Sequence, residues 1–300
     1  MNFTTIPSGS ISMSTAVLAP EHPKAVLVMI HGMAEHKERY FPFMEYLSSL
    51  GIASVTPDLR GHGATTPQKE ERGYFGPKGP EILIQDTLQV VRWTRAQFPG
   101  IKVFLFGHSM GSMVVRCFCK RYDAEIDGLV VCGSPSADPR IGMGILVTRL
   151  FQLFKGSHYR SKRVAMIMFG RHERRFASEG MHNAWLCSNK AVVKAYNDDP
   201  DCGFKFTLNG HRTVMQLIQQ TYVPKGWQVN NPGLPVHFVA GSEDACVDTV
   251  PKFARAVSFF RNRGYRSVTS KIYPGLRHEI LNEIGCEEIW RDLGNVLLSW

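Results

Sequence analysis

Hydrophobic positions along the chain follow two rhythms, and each change of rhythm predicts a boundary between elements. Short continuous apolar runs predict strands buried on both faces. They occupy Lys24 to Ile30 (KAVLVMI), Ile52 to Thr56, the stretch from Ile101 that stops at a turn centred on Ser109, Ile126 to Cys132, Leu234 to Val239 and Val268 to Tyr273. Between them apolar residues recur at helical spacing over Tyr40 to Leu50, Glu81 to Phe98, Met110 to Tyr122, Pro251 to Phe260 and from about Glu283 to Trp300. Gly51 and the pair Pro99-Gly100 close the first two of these helices. At the amino terminus two short alternating runs, Phe3 to Ile6 and Ile11 to Leu18, predict edge strands turned at Pro7, Ser8 and Gly9. Strand and helix in regular succession predict an α/β fold whose mostly parallel sheet is crossed by right-handed connections. From 137 to 232 that succession fails: apolar residues keep helical spacing, no buried run occurs, and charges are dense. The core is therefore expected in 1–136 and 233–300, with 137–232 inserted as a mainly helical lid.

Composition narrows the class. A chain that is 44% hydrophobic and 20% charged is an ordinary globular one. No basic, apolar leader opens it and no window reaches the length of a membrane span. Seven cysteines, scattered and odd in number, suit a reducing, cytoplasmic compartment better than a disulfide framework. They form neither a C-x-x-C pair nor a zinc-spaced cluster with histidine, so neither metal nor cofactor is expected. The net charge of +9 is concentrated: between Arg140 and Arg175 nine Lys or Arg residues face one acid, Glu173. Nothing resembling a helix-turn-helix, zinc finger or RNA-binding aromatic pattern accompanies it, which argues against nucleic acid. Weak peripheral contact with an anionic membrane fits better, because the run Ile141 to Phe154 (IGMGILVTRLFQLF) mixes that charge with apolar residues. A plain solvated surface is the competing reading. The same run offers Ile145, Leu146 and Leu150 as contacts for an apolar substrate.

The chemistry centres on Gly107-His108-Ser109-Met110-Gly111. A serine between two glycines, after a strand and before a helix, resembles the nucleophile elbow of the α/β-hydrolases. Its hydroxyl needs a base to take its proton and a carboxylate to orient that base. Both must lie past the carboxyl ends of strands, where the loops of a parallel sheet converge. Of the six histidines after Ser109, only His278 follows a core strand; 158, 172, 182 and 211 fall in the expected lid and His237 within a strand. For the acid, Glu243, Asp244 and Asp248 all qualify, Asp244 at the bend of its loop and Asp248 as a helix N-cap. Acyl transfer also needs backbone donors for a developing oxyanion. Met110, next after the serine, and Met33, past the KAVLVMI strand, are the candidates.

HGMAEHKERY (31 to 40), DLRGHG (58 to 63), GHSMG (107 to 111), GSEDACVD (241 to 248) and YPGLRHEILNE (273 to 283) together resemble the monoacylglycerol lipase and lysophospholipase-like branch of the α/β-hydrolases, often grouped with the serine aminopeptidase S33 set. The resemblance covers the core and weakens over 137–232, although SNKAVVKAYNDDPDCGFKFT resembles the lid of bacterial members. It implies a Ser109, His278, Asp244 triad, selecting Asp244 among the three acids, and a hole formed by the N–H groups of Met33 and Met110. It implies a lipid monoester as substrate, a monoacylglycerol or lysophospholipid. A proline iminopeptidase-like peptidase and a short-chain carboxylesterase are the alternatives, the first disfavoured by a basic lid where a substrate ammonium would need acids. Around the site, His31 is expected to bond its own loop, His108 to pack beneath the turn, and Cys246 to be either a reactive thiol or an inert half-buried one.

Overall fold

A computed structural model describes residues 1–300. Eight strands, β1 (Asn2–Ser8), β2 (Ile11–Leu18), β3 (Ala25–Ile30), β4 (Ile52–Pro57), β5 (Lys102–His108), β6 (Gly128–Cys132), β7 (Val236–Gly241) and β8 (Val268–Tyr273), form one sheet. Their order is β1-β2-β4-β3-β5-β6-β7-β8, antiparallel at β1, β2 and β4 and parallel thereafter. The first hairpin is tighter than its punctuation suggests: Pro7 and Ser8 stay in β1, paired with Ser12 and Ile11. An edge strand tolerates a proline because its missing donor would have faced away from the sheet.

Strands β3, β4, β6 and β7 are buried at every residue, and the two-residue period of the pleat sends their side chains alternately to two cores. Val26, Val28 and Ile30 join the larger one, which also holds residues of α2 (Pro80–Gln97), α3 (Met110–Tyr122) and α8 (Val250–Arg261). Ala25, Leu27 and Met29 join the other, with α1 (Phe41–Ser49) and α9 (Cys286–Ser299). Between β6 and β7 stand α4 (Ile141–Lys155), α5 (Lys162–Arg175), α6 (Lys190–Asp198) and α7 (Leu208–Tyr222), with no strand among them.

Helix α4 packs Ile141, Ile145 and Phe151 inward but leaves much of its apolar surface outside. Its most buried residues are the polar Thr148 and Gln152, while Met143, Leu146, Leu150, Leu153 and Phe154 are exposed. Gly144, Thr148 and Gln152 line the side toward α7 at four-residue spacing, and a β-carbon at Gly144 would stand 2.8 Å from Met215 Sδ of α7. No helix is long and apolar enough to cross a membrane.

Two contacts set what the rest can do. Helix α3 crosses β3 so closely that a β-carbon on Gly111 would lie 2.1 Å from the Ile30 carbonyl oxygen. The segment after α6 is tied to the β3 loop by His36, whose Nε2 donates to Asp199 Oδ2 at 2.8 Å and whose Nδ1 donates to Glu38 Oε2 at 2.5 Å. Burial opposes charge on His36, but the Cys202 thiol, Glu38 and Asp199 reverse that and push it up to about 11.

Gly111→Ala is expected to destabilise the fold by roughly 3 kcal/mol or to prevent folding, because backbone must move to admit one methyl group; urea unfolding measures this. His36 is charged in the folded chain well above the pH where it discharges when unfolded. Its contribution is thus complete below about pH 6.5 and is lost as pH rises toward 11. The stability difference between the wild type and His36→Asn should therefore shrink from pH 6.5 upward, as denaturant titrations across that range will show.

Candidate active site

The loops after β3, β5, β7 and β8 meet at the carboxyl edge of the parallel strands, and each delivers one predicted group. Ser109 terminates β5 at φ 53°, ψ −115°, a backbone state that costs a residue with a side chain on the order of 1–3 kcal/mol. Its neighbours show why the sequence accepts that cost. A β-carbon on Gly107 would come within 2.5 Å of the Gly111 carbonyl oxygen, so the two flanking positions must be bare. The Ser109 N–H donates to Cys132 O at 3.0 Å, which fixes the turn to the end of β6. The hydroxyl itself is half-buried and makes no hydrogen bond within the protein.

His278 and Asp244 stand next to that turn. The His278 Nδ1 lies 2.9 and 3.0 Å from the two Asp244 oxygens, and both side chains are buried. A β-carbon on Gly133, the residue after Cys132, would stand 3.2 Å from His278 Nδ1 and Cε1 and from Asp244 Oδ2. The acid and histidine loops are locked together at Gly241, where a β-carbon would lie 2.0 Å from the Leu276 carbonyl oxygen. Burial alone would raise the Asp244 carboxyl, but His278 and the N–H groups of Val247 and Cys246 outweigh it and hold the group below the ordinary aspartate range. Asp244 is thus a fixed anion facing Nδ1, which keeps the imidazole proton there and leaves Nε2 as the basic atom.

The other two acids fall away. Glu243 pairs with Arg175 at 2.8 Å, and Asp248 pairs with Lys252 at 2.6 Å. Asp248 is not the helix cap expected of it: Thr249 caps α8 by accepting from the Lys252 N–H. The half-buried Cys246 thiol is pushed well above its ordinary value, first by burial and then by Asp244, which disfavours the thiolate.

The β3 loop is organised by one buried carboxylate that sequence reading did not single out. Glu35 Oε1 accepts from the Gly32 N–H at 2.5 Å, the Tyr40 hydroxyl at 3.0 Å and His108 Nδ1 at 3.1 Å, while Oε2 takes Arg39 at 2.9 Å. Arg39 continues to Glu279, beside His278, through two bonds of 2.6 Å. His108 is held in this network, its Nε2 donating to the His278 carbonyl at 3.3 Å. With the Gly32 N–H consumed by Glu35 and the Ala34 N–H by His62 at 3.2 Å, the Met33 N–H between them has no partner in the protein. Met110 is the first residue of α3, where a helix offers no acceptor. His31 does bond its own loop, to the Gly32 carbonyl, and also accepts from the Leu59 N–H at 2.8 Å. Glu35 and Tyr40 lie in a recognisable motif, so their roles had a signal.

Trp185 had none. It comes from the patternless stretch between β6 and β7, yet its ring packs on His278 with centroids 5.3 Å apart and on His172 at 5.1 Å. Of the positions expected to touch substrate, Leu146 and Leu150 are on the exposed face of α4, and Ile145 packs with Val164, Leu208 and Met215. Two groups have metal-like composition, Asp244 with Cys246 and His278, and His36 with Asp199 and Cys202. In the first the histidine and carboxylate already bond each other, and in the second His36 is an imidazolium, so neither presents a free donor set.

Residues 21–285 match the family described as serine aminopeptidase, S33. Mouse monoglyceride lipase is 30% identical over 285 residues, covering 93% of this chain and 82% of the relative. The phospholipase YtpA of Bacillus subtilis is 26% identical over 276 residues, covering 90% and 94%. Among solved structures, a thermostable carboxyl esterase from Bacillus coagulans superposes with a TM-score of 0.91 over 100% of this chain and 99% of its own, at 22% identity. By family model, relatives and fold together, the chain belongs to the serine aminopeptidase S33 family, in the monoglyceride lipase-like branch of the α/β-hydrolases.

Proposed function

We propose that the chain cleaves lipid monoesters, monoacylglycerols or lysophospholipids, through an acyl-enzyme on Ser109 with His278 as base and Asp244 as its orienting acid. The chain is a carboxylic ester hydrolase, similar to monoglyceride lipases, a phospholipase and a carboxyl esterase. What supports this reading is the buried His278–Asp244 pair, which packs at Gly133 next to the turn that holds Ser109 at positive φ.

His278 Nε2 takes the Ser109 proton as Oγ attacks the ester carbonyl. Negative charge gathers on the carbonyl oxygen, where the N–H groups of Met33 and Met110 receive it, at about 3 kcal/mol for one such donor. His278 then returns the proton to the departing alcohol, and water repeats the sequence to release the acid and restore Ser109. Asp244 stabilises the imidazolium without taking its proton. The stretch 137–232 acts as the lid, covering His278 with Trp185. The apolar residues exposed on α4, flanked by Arg149 and Lys155, would meet a lipid surface. A peptidase of the same family needs acids around its substrate's ammonium, whereas the surface beside Asp248 carries Arg171, Arg174 and Arg175.

Ser109→Ala should lower kcat on p-nitrophenyl esters by roughly 10⁴-fold or more with the fold intact by circular dichroism; wild-type turnover in this variant would refute the mechanism. The chain should also sediment weakly with anionic vesicles at low salt and much less at high salt. Binding that is absent, or indifferent to salt, would remove the membrane contact.

A further inference from the structure

Beside the proposed site opens a cleft of about 450 Å³, lined by Arg171, His172, Arg174 and Arg175 of α5 and by Ala245 and Asp248 of the acid loop. Its acids are already engaged. Asp248 takes Lys252 at 2.6 Å and Arg171 at 3.2 Å, and Glu243 takes Arg175 at 2.8 Å. Glu173, the remaining acid on α5, faces His182 at 3.2 Å and the Trp185 indole N–H at 3.0 Å. Arg174 is left with only the Gly170 carbonyl of its own helix, at 3.1 Å to Nε, and no carboxylate. His172 has a buried Nδ1 with no partner, and burial, then His278, push the ring down to about 4, so it is neutral at pH 7.

Position gives this charge a direction. Ala245 follows Asp244 in the chain, and the rings of His172, Trp185 and His278 pack in sequence from the cleft to the proposed base, with centroids 5.1 and 5.3 Å apart. With His278 as the group that protonates the departing alcohol, the alcohol half of the ester would lie on the His278 side, from which Trp185 leads to the cleft. A neutral glycerol offers a free guanidinium no anion to pair with, only uncharged hydroxyl acceptors. A phosphate does: its oxygens match the planar guanidinium fork, and they can accept a proton from a neutral imidazole.

We propose that this cleft is the subsite for a phosphate on the departing alcohol, so that the substrate class is a monoacyl glycerophosphate ester, a lysophospholipid, rather than a neutral monoacylglycerol. The inference rests on the Ser109 and His278 roles given above. The acyl C–O bond breaks as Ser109 Oγ bonds to the acyl carbon, the serine proton passes through His278 to the leaving oxygen, and glycerophosphate departs. Water then cleaves the acyl-serine and supplies the proton that restores Ser109.

The test compares kcat/KM of the full chain on 1-oleoyl lysophosphatidate and 1-oleoyl glycerol in the same neutral detergent micelles, for the wild type and Arg174→Ala. The expected result is a wild-type preference for the phosphate of about tenfold or more that collapses in R174A through a higher KM. No preference, or equal losses on both substrates in R174A, would overturn the proposal. A second arm uses p-nitrophenyl butyrate with sn-glycerol 3-phosphate or inorganic phosphate as inhibitor. Stronger competitive inhibition by the glycerol phosphate supports a headgroup subsite, whereas equal inhibition makes this a site for free phosphate and overturns the lipid assignment. Loss of the preference with Ser109-dependent ester hydrolysis retained fails this inference alone; ester hydrolysis retained in Ser109→Ala fails the mechanism beneath it.

Discussion

The site depends on how closely a helix can be brought to the sheet. Ser109 holds its hydroxyl clear of the backbone only because β5 ends in a turn at φ 53° and α3 starts at once, almost in contact with β3. Two glycines make that approach, and both stand where any β-carbon would meet backbone rather than a movable side chain. The strain is therefore not relieved locally. It is held by the packing of α3 against β3 and β5, which the two cores on either side of the sheet supply.

The second constraint is charge without water. Glu35 is buried and receives four donors, and Arg39 carries the same network to Glu279 beside His278. Burial pushes the Glu35 carboxyl up, but His108 and Arg39 outweigh it and hold it well below its ordinary value, so it is an anion. An anion of this kind is costly to bury and costlier to leave with a missing partner, so the arrangement has little freedom. The consequence is local: Gly32 is pinned through both its N–H and its carbonyl, and the next N–H along the loop, that of Met33, is left without a partner in the protein.

The segment between β6 and β7 obeys different rules. Helix α4 buries the polar Thr148 and Gln152 most deeply and leaves five large apolar residues exposed, although Ile141, Ile145 and Phe151 pack inward. Exposed apolar area of this kind is uncommon on a monomer and marks a surface where contact with something apolar would be favourable. A few residues on, α5 presents arginines, and Trp185 joins that charged surface to His278. One face of the segment is thus apolar and exposed, and the next is positively charged.

By itself the sequence determined the local chemistry. Continuous apolar runs marked the central strands, and Gly107 and Gly111 marked the turn. The placement of Ser109, Asp244 and His278 just past strand ends could be read from the same pattern, because these features depend on residues adjacent in the chain. Strand order, the inward face of α4 and the identity of what touches what were decided only by tertiary structure. Glu35 meets His108 across 73 positions, Arg39 meets Glu279 across 240, and Trp185 reaches His278 from a stretch with no periodic signal. Such contacts are selected by the packing of whole elements and the need to satisfy buried charge, and neither leaves a period or a spacing in the sequence that a local reading can detect.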